Sequence, residues 1–151
     1  MDRVVESVEE MSALGESLGR VAAPGDVIGL AGDLGAGKTC FVQGLAAGLG
    51  YTGRVTSPTF TLIHIYEGGR LTLYHADLYR LDDAHELEDI GLDDTYRQDG
   101  VAAVEWATKL PGALPADALL VSIDVVSETS RRVQARASGH DSAALLTRWV
   151  G

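Results

Sequence analysis

Gly32-Asp33-Leu34-Gly35-Ala36-Gly37-Lys38-Thr39 fits the spacing G-x-x-x-x-G-K-[ST], the order of residue types that a phosphate-binding loop requires. Glycines let the backbone wrap until successive N–H groups point inward at phosphate oxygens. A helix starting at the lysine adds its N-terminal donors and its dipole. The lysine then meets the β and γ phosphates as a point charge, while the hydroxyl of Thr39 is placed to ligate a bridging Mg²⁺. At this chain's own frequencies of Gly, Lys and Ser/Thr, an accidental match is expected in roughly one of 300 chains of this length.

The flanks of the loop agree with it. Val27-Ile28-Gly29-Leu30-Ala31 is a short apolar run of the kind buried on both faces in a parallel sheet. Beyond Lys38, Phe41, Val42, Leu45 and Leu49 recur at helical spacing until Gly48 and Gly50 stop the pattern. Further upstream, Ser7-Val8-Glu9-Glu10 matches a capping box, and Met11, Leu14, Leu18 and Val21 predict an amphipathic helix ended by Ala23-Pro24-Gly25. Downstream, Thr61 to Tyr66 and Leu71 to Asp77 read as a hairpin turning through Glu67-Gly68-Gly69-Arg70. Leu81 to Asp94 predicts a short helix and a loop, and Val101 to Val104 an apolar strand that delivers Glu105 and Trp106 at its C-terminal end. Leu119 to Val126 and Arg132 to Ala137 suggest a second hairpin around Ser127-Glu128-Thr129-Ser130, and Leu145, Leu146 and Trp149 suit a closing helix. With no repeat or linker, the expectation is an α/β fold: a single domain over residues 1–151, a P-loop NTPase-like mixed sheet with flanking helices and β-hairpins.

Composition narrows the partners. The chain has 151 residues, 46% of them hydrophobic, enough for one domain with a real core. Twelve Lys and Arg stand against 22 Asp and Glu, a formal net charge of -10. So acidic a surface repels phosphate backbones, so no strong unaided grip on nucleic acid or on an anionic membrane is expected. Cys40 is the single cysteine, no apolar run approaches the roughly 18 residues of a membrane span, and nothing resembles a secretory leader. The cytoplasm is the expected compartment. There is no asparagine, so the guanine-reading Asn-Lys-x-Asp motif is absent and adenine is favoured.

A nucleotide–Mg²⁺ site also needs carboxylates, usually from the end of a neighbouring strand. Glu105 falls where such an acid belongs, and Asp77 is the second candidate. His75 and Asp77 alternate along a strand and so share a face. Thr56-Ser57-Pro58-Thr59, about 20 residues after Lys38, lies where many phosphate-loop proteins sense the γ-phosphate through a hydroxyl; Thr59 or Thr56 would do this, and a plain loop is the competing reading. Trp106 suits either base stacking or the core. Cys40 lies in the first helical turn, where the dipole can lower a thiol's pKa, with inert packing as the alternative. Arg131 and Arg132 suit a phosphate contact or a solvated hairpin face equally well.

Several of these segments together resemble one family. Gly32 to Thr39, then Ser57-Pro58-Thr59-Phe60, Tyr74-His75-Ala76-Asp77-Leu78-Tyr79-Arg80, Glu86-Leu87-Glu88 with Ile90-Gly91, and Val104-Glu105-Trp106 look like TsaE, also called YjeE. The resemblance runs over nearly the whole chain in the right order. It implies a small bacterial ATPase that works with TsaB and TsaD to make threonylcarbamoyladenosine beside the anticodon of tRNAs. It further implies that Asp33, Leu34, Gly35, Ala36, Gly37, Lys38, Thr39 and Cys40 surround ATP or ADP, and that Thr39 and Glu105 hold Mg²⁺. Asp77 becomes a metal-side or water-positioning carboxylate, Thr59 a switch hydroxyl, and Trp106 a neighbour of the nucleotide. Ser12 on the first helix approaches the adenine side. Lys38, Asp77 and Glu105 would then carry hydrolysis, slow until partners complete the site. Two other readings share the same binding residues: a small-molecule kinase and a non-hydrolysing nucleotide switch. Seven acids between Asp82 and Asp94 form either a solvated loop or a docking surface for protein partners.

Overall fold

A computed structural model describes residues 1–58, 62–96 and 99–151. Along the chain run β1 (Asp2–Val5), α1 (Val8–Val21), β2 (Val27–Ala31), α2 (Lys38–Gly48), β3 (Ile63–Tyr66) and β4 (Leu73–Asp77). Then come α3 (His85–Asp89), α4 (Leu92–Tyr96), β5 (Val101–Glu105), β6 (Leu119–Val125), β7 (Arg131–Ala137) and α5 (His140–Val150). Among the described residues these strands form one sheet in the order β1-β7-β6-β2-β5-β4-β3. The inner strands β6, β2, β5 and β4 are parallel, with Ile28 paired to Leu119 on one side and to Ala103 on the other. The outer pairs β3–β4, β6–β7 and β1–β7 are antiparallel.

Side-chain alternation divides the core. Ile28, Leu30, Val101, Ala103 and Leu73 pack on one face beneath Leu14 and Leu18 of α1, Phe41 and Leu45 of α2 and Leu145 of α5. Ala76 and Val104 face the other way, onto Leu87, Leu92 and Leu110. The same alternation puts His75, Asp77 and Glu105 on the α1/α2 face, at the C-terminal edge of β4 and β5. α1 and α2 approach backbone to backbone: a Cβ at Gly44 would stand 2.0 Å from the carbonyl oxygen of Ser12, and one at Gly48 would stand 2.1 Å from that of Glu16. Trp149 of α5 closes this layer, its ring edge-on to Phe41 and its indole N–H donating to Ser17 Oγ at 2.9 Å.

The α/β mixed sheet and both hairpins agree with the sequence reading, with local differences. The Glu10 amide donates to Ser7 Oγ at 3.1 Å, but the Glu10 carboxylate returns to the amide of Glu6, so the capping box is one residue wider than its pattern. β1 is an addition, and the acidic stretch carries two short helices in place of one. Among the described residues no helix is long and apolar enough to cross a membrane.

Candidate functional site

The chain leaves β2 at Ala31 and reaches α2 through the glycine loop. Gly37 caps α2 with φ 115°, and at Gly32 a Cβ would stand 2.4 Å from the carbonyl oxygen of Ile123. Neither position accepts a side chain without strain. Lys38 folds back over the loop, its Nζ donating to the carbonyls of Gly32 at 2.5 Å and Asp33 at 2.8 Å. The same ammonium lies 4.2 Å from the centroid of the Trp106 ring, a cation–π distance. Only 5% of Lys38 is exposed, and burial pulls its pKa below the ordinary lysine value against the attraction of Glu105, Asp77 and Asp33. From outside, Arg131 donates to the carbonyls of Ala36, Ser127 and Ser130, tying the β6–β7 turn to the loop.

Asp77 and Glu105 are direct register partners at the ends of β4 and β5, each 3% exposed. Carboxylates placed opposite one another repel, and donors from several elements offset this. Thr39 Oγ1 donates to Glu105 at 3.2 Å, and His75 Nε2 lies 2.5 Å from Glu105 Oε2. Ser57 Oγ donates to Asp77 Oδ2 at 3.1 Å, and the Tyr79 amide to Oδ1 at 2.9 Å. Lys38 brings the positive charge.

These groups open on a cleft of about 300 Å³ that Leu34, Gly35, Gly37, Lys38, Thr39, Cys40, Asp77, Glu105 and Trp106 line together with Ser57 and Tyr79. Tyr79 forms its lip, with its ring 4.9 Å from that of Trp106. A second cavity of about 350 Å³ shares Gly35, Gly37 and Cys40 and lies between Ser7 and Met11 on one side and Thr129 and Arg131 on the other; Ala36 lines it. Asp33 enters the site through its carbonyl on Lys38. Ser12 lies elsewhere, its carbonyl on the α1–α2 seam beside Gly44 and outside both cavities. Helical geometry explains this: Met11 points to the cavity and Ser12, one residue on, is turned about 100° away. Thr59 falls outside the described residues. The Thr56 amide and carbonyl both bond to the Tyr66 hydroxyl, at 3.3 and 3.0 Å, which holds that loop to β3.

Burial, with the charge of Glu9 beside it, raises the Cys40 thiol above its ordinary value. The thiol bonds to the Val8 carbonyl, and Cys40 lines both cavities. Ser57, Tyr79 and Met11 went unassigned in the sequence, because their contacts join segments far apart in the chain. The bonds of Arg131 to loop and turn carbonyls are named by neither reading of the Arg131-Arg132 pair.

The arrangement can seat a polyphosphate in the loop with an oxygen-ligated cation beside Thr39 and Glu105. Among the described residues no three His, Cys, Asp or Glu side chains form a metal cage. That donor set fits Mg²⁺, which takes one or two protein oxygens and completes its octahedron with phosphate and water.

Comparison with known proteins gives one family. Residues 5–133 match the family model of TsaE, threonylcarbamoyl adenosine biosynthesis protein. The tRNA threonylcarbamoyladenosine biosynthesis protein TsaE of Bacillus subtilis is 46% identical over 132 residues, covering 87% of this chain and 82% of that protein. Its namesake in Treponema pallidum is 42% identical over 130 residues, covering 86% and 96% respectively. The crystal structure of Bacillus subtilis YdiB superposes with a TM-score of 0.87 at 36% identity, over 99% of this chain and 93% of that one.

Proposed function

This chain belongs to the TsaE family, and on that premise we propose that it binds and hydrolyses ATP with Mg²⁺, acting with TsaB and TsaD in the threonylcarbamoyladenosine modification of tRNA in the cytoplasm. One observation carries the reading: Lys38 and Thr39 of α2, Asp77 of β4 and Glu105 of β5 converge on a single cleft at the mouth of the glycine loop.

The triphosphate lies in the loop, with the adenosine toward the second cavity beside Met11 and Arg131. Thr39 and Glu105 would hold Mg²⁺, which would supply charge neutralisation to the phosphates. Lys38 stabilises the charge that develops on the transferred group. Asp77, its oxygens oriented by Ser57 and Tyr79, places the attacking water in line. No arginine is among the described residues that line the cleft, and Arg131 is engaged with loop carbonyls. Hydrolysis is therefore slow in the isolated protein and rises when partners rearrange the site. The net charge of -10 favours protein partners over direct contact with RNA.

Reconstitution with TsaB, TsaD and unmodified tRNA tests the reading. Phosphate release should increase when the partners are added, and Glu105→Ala should abolish both release and modification. Full modification with Glu105→Ala would remove the cleft from the mechanism.

A further inference from the structure

Among the described residues, Nδ1 of His75 stands buried with no hydrogen-bond partner. The ring is fully buried at 0% exposure, its centroid 6.1 Å from that of Tyr66. Its register partner on β5 is the small Ala103, which leaves room for a ring. An apolar side chain would fill that space and orphan no nitrogen. What the imidazole supplies is at its other edge. Nε2 lies 2.5 Å from Glu105 Oε2, reached along the diagonal from Ala103 to the next residue on the same face. Facing a carboxylate, which only accepts, Nε2 carries a hydrogen and donates it to Oε2.

Glu105 is thus gripped from two sides. His75 takes Oε2 from within the sheet, and Thr39 Oγ1 from α2 lies 3.2 Å from Oε1 and 3.3 Å from Oε2. We propose that His75 is a positioning residue that fixes the carboxylate of Glu105 in one rotamer, with Oε1 presented to Thr39 and the cleft. Hydrogen-bond partners behind metal ligands hold ligand geometry in this way. The inference rests on the reading of Glu105 as the carboxylate on the Mg²⁺ side.

The test is the affinity for ADP in MgCl₂ and in EDTA, measured by calorimetry on wild type, His75→Phe, His75→Gln and His75→Asn. Wild type should bind more tightly in MgCl₂. His75→Phe should lose about tenfold or more of that gain while its affinity in EDTA stays within about twofold of wild type. His75→Gln, whose amide reaches Glu105, should recover the gain, and the shorter His75→Asn should not. A His75→Phe protein with the full gain, or one weakened equally in both buffers, overturns the proposal. Should His75→Phe fail to fold, the Gln and Asn variants decide, and equal behaviour of the two overturns it. Wild type without ADP binding, or without a gain from MgCl₂, would instead count against the reading of the cleft.

Discussion

Thr39 and Glu105, 66 positions apart in the chain, meet through a hydrogen bond of 3.2 Å from hydroxyl to carboxylate. The contact ties the first turn of α2 to the end of β5, so the phosphate loop and the carboxylate that serves it are built as one unit. Thr39→Val keeps the shape and removes the hydroxyl. It should cost about ten- to hundredfold of the Mg²⁺-dependent part of ADP affinity. In a double-mutant cycle with Glu105→Gln the two losses should not add; simple additivity would mean that the residues act separately.

The α1–α2 seam predicts a stability effect remote from chemistry. Ala at position 44 places a methyl group 2.0 Å from the Ser12 carbonyl oxygen, and backbone atoms cannot move aside as a flexible side chain does. Gly44→Ala should cost about 1–3 kcal/mol by overpacking, or a melting temperature lower by about 2–4 °C per kcal/mol. An unchanged melting curve would mean that the helices separate at little cost.

Cys40 should behave as a shielded thiol. Its pKa is raised by burial first and by Glu9 second, so alkylation by iodoacetamide should be slow at neutral pH and still rise above pH 9. Cys40 also lines both cavities, so ADP with Mg²⁺ should slow the labelling further. Fast labelling at pH 7, or labelling indifferent to nucleotide, would contradict its placement.

Asp117 predicts a pH dependence. Its carboxylate accepts from the amides of Asp141 and Ser142 at the start of α5, and the hydrogen bonds to Ser142 are the main cause of a pKa held below the ordinary value of 3.8. A carboxylate depressed in the folded state contributes stability that is fully present above its unfolded pKa and is lost as pH falls through the folded one. The melting-temperature difference between wild type and Asp117→Ala should be constant from pH 5 to 8 and shrink below about pH 3.8. A difference that persists unchanged in acid would assign the effect to packing.

Much of this was legible in the sequence wherever a local pattern carries the information. The glycine loop announces itself by spacing, β2 and β5 by unbroken apolar runs, and Glu105 by its position after one of them. β1 was not, since only one of its four residues is buried and its pairing with β7 spans nearly the whole chain. Ser12, which the resemblance puts on the adenine side, has its carbonyl on the α1–α2 seam, while its neighbour Met11 lines the second cavity. Adjacent residues on a helix point about 100° apart, so only the packing of α1 shows which of them lines a cavity. The contacts of Ser57 with Asp77 and of His75 with Glu105 depend on how β4 lies beside β5 and the loop before β3, which no local spacing encodes. Gly44 and Gly48 lie one turn apart on α2, but their close approach to the carbonyls of Ser12 and Glu16 appears only once α1 and α2 are seen to touch.

Calorimetric titration of ADP with MgCl₂ into wild type and Lys38→Ala tests the central claim most directly. Wild type should show saturable binding at one site per chain, and Lys38→Ala, folded as judged by its melting curve, should show none. Binding by Lys38→Ala as tight as that of wild type would contradict the assignment of the glycine loop as the phosphate seat.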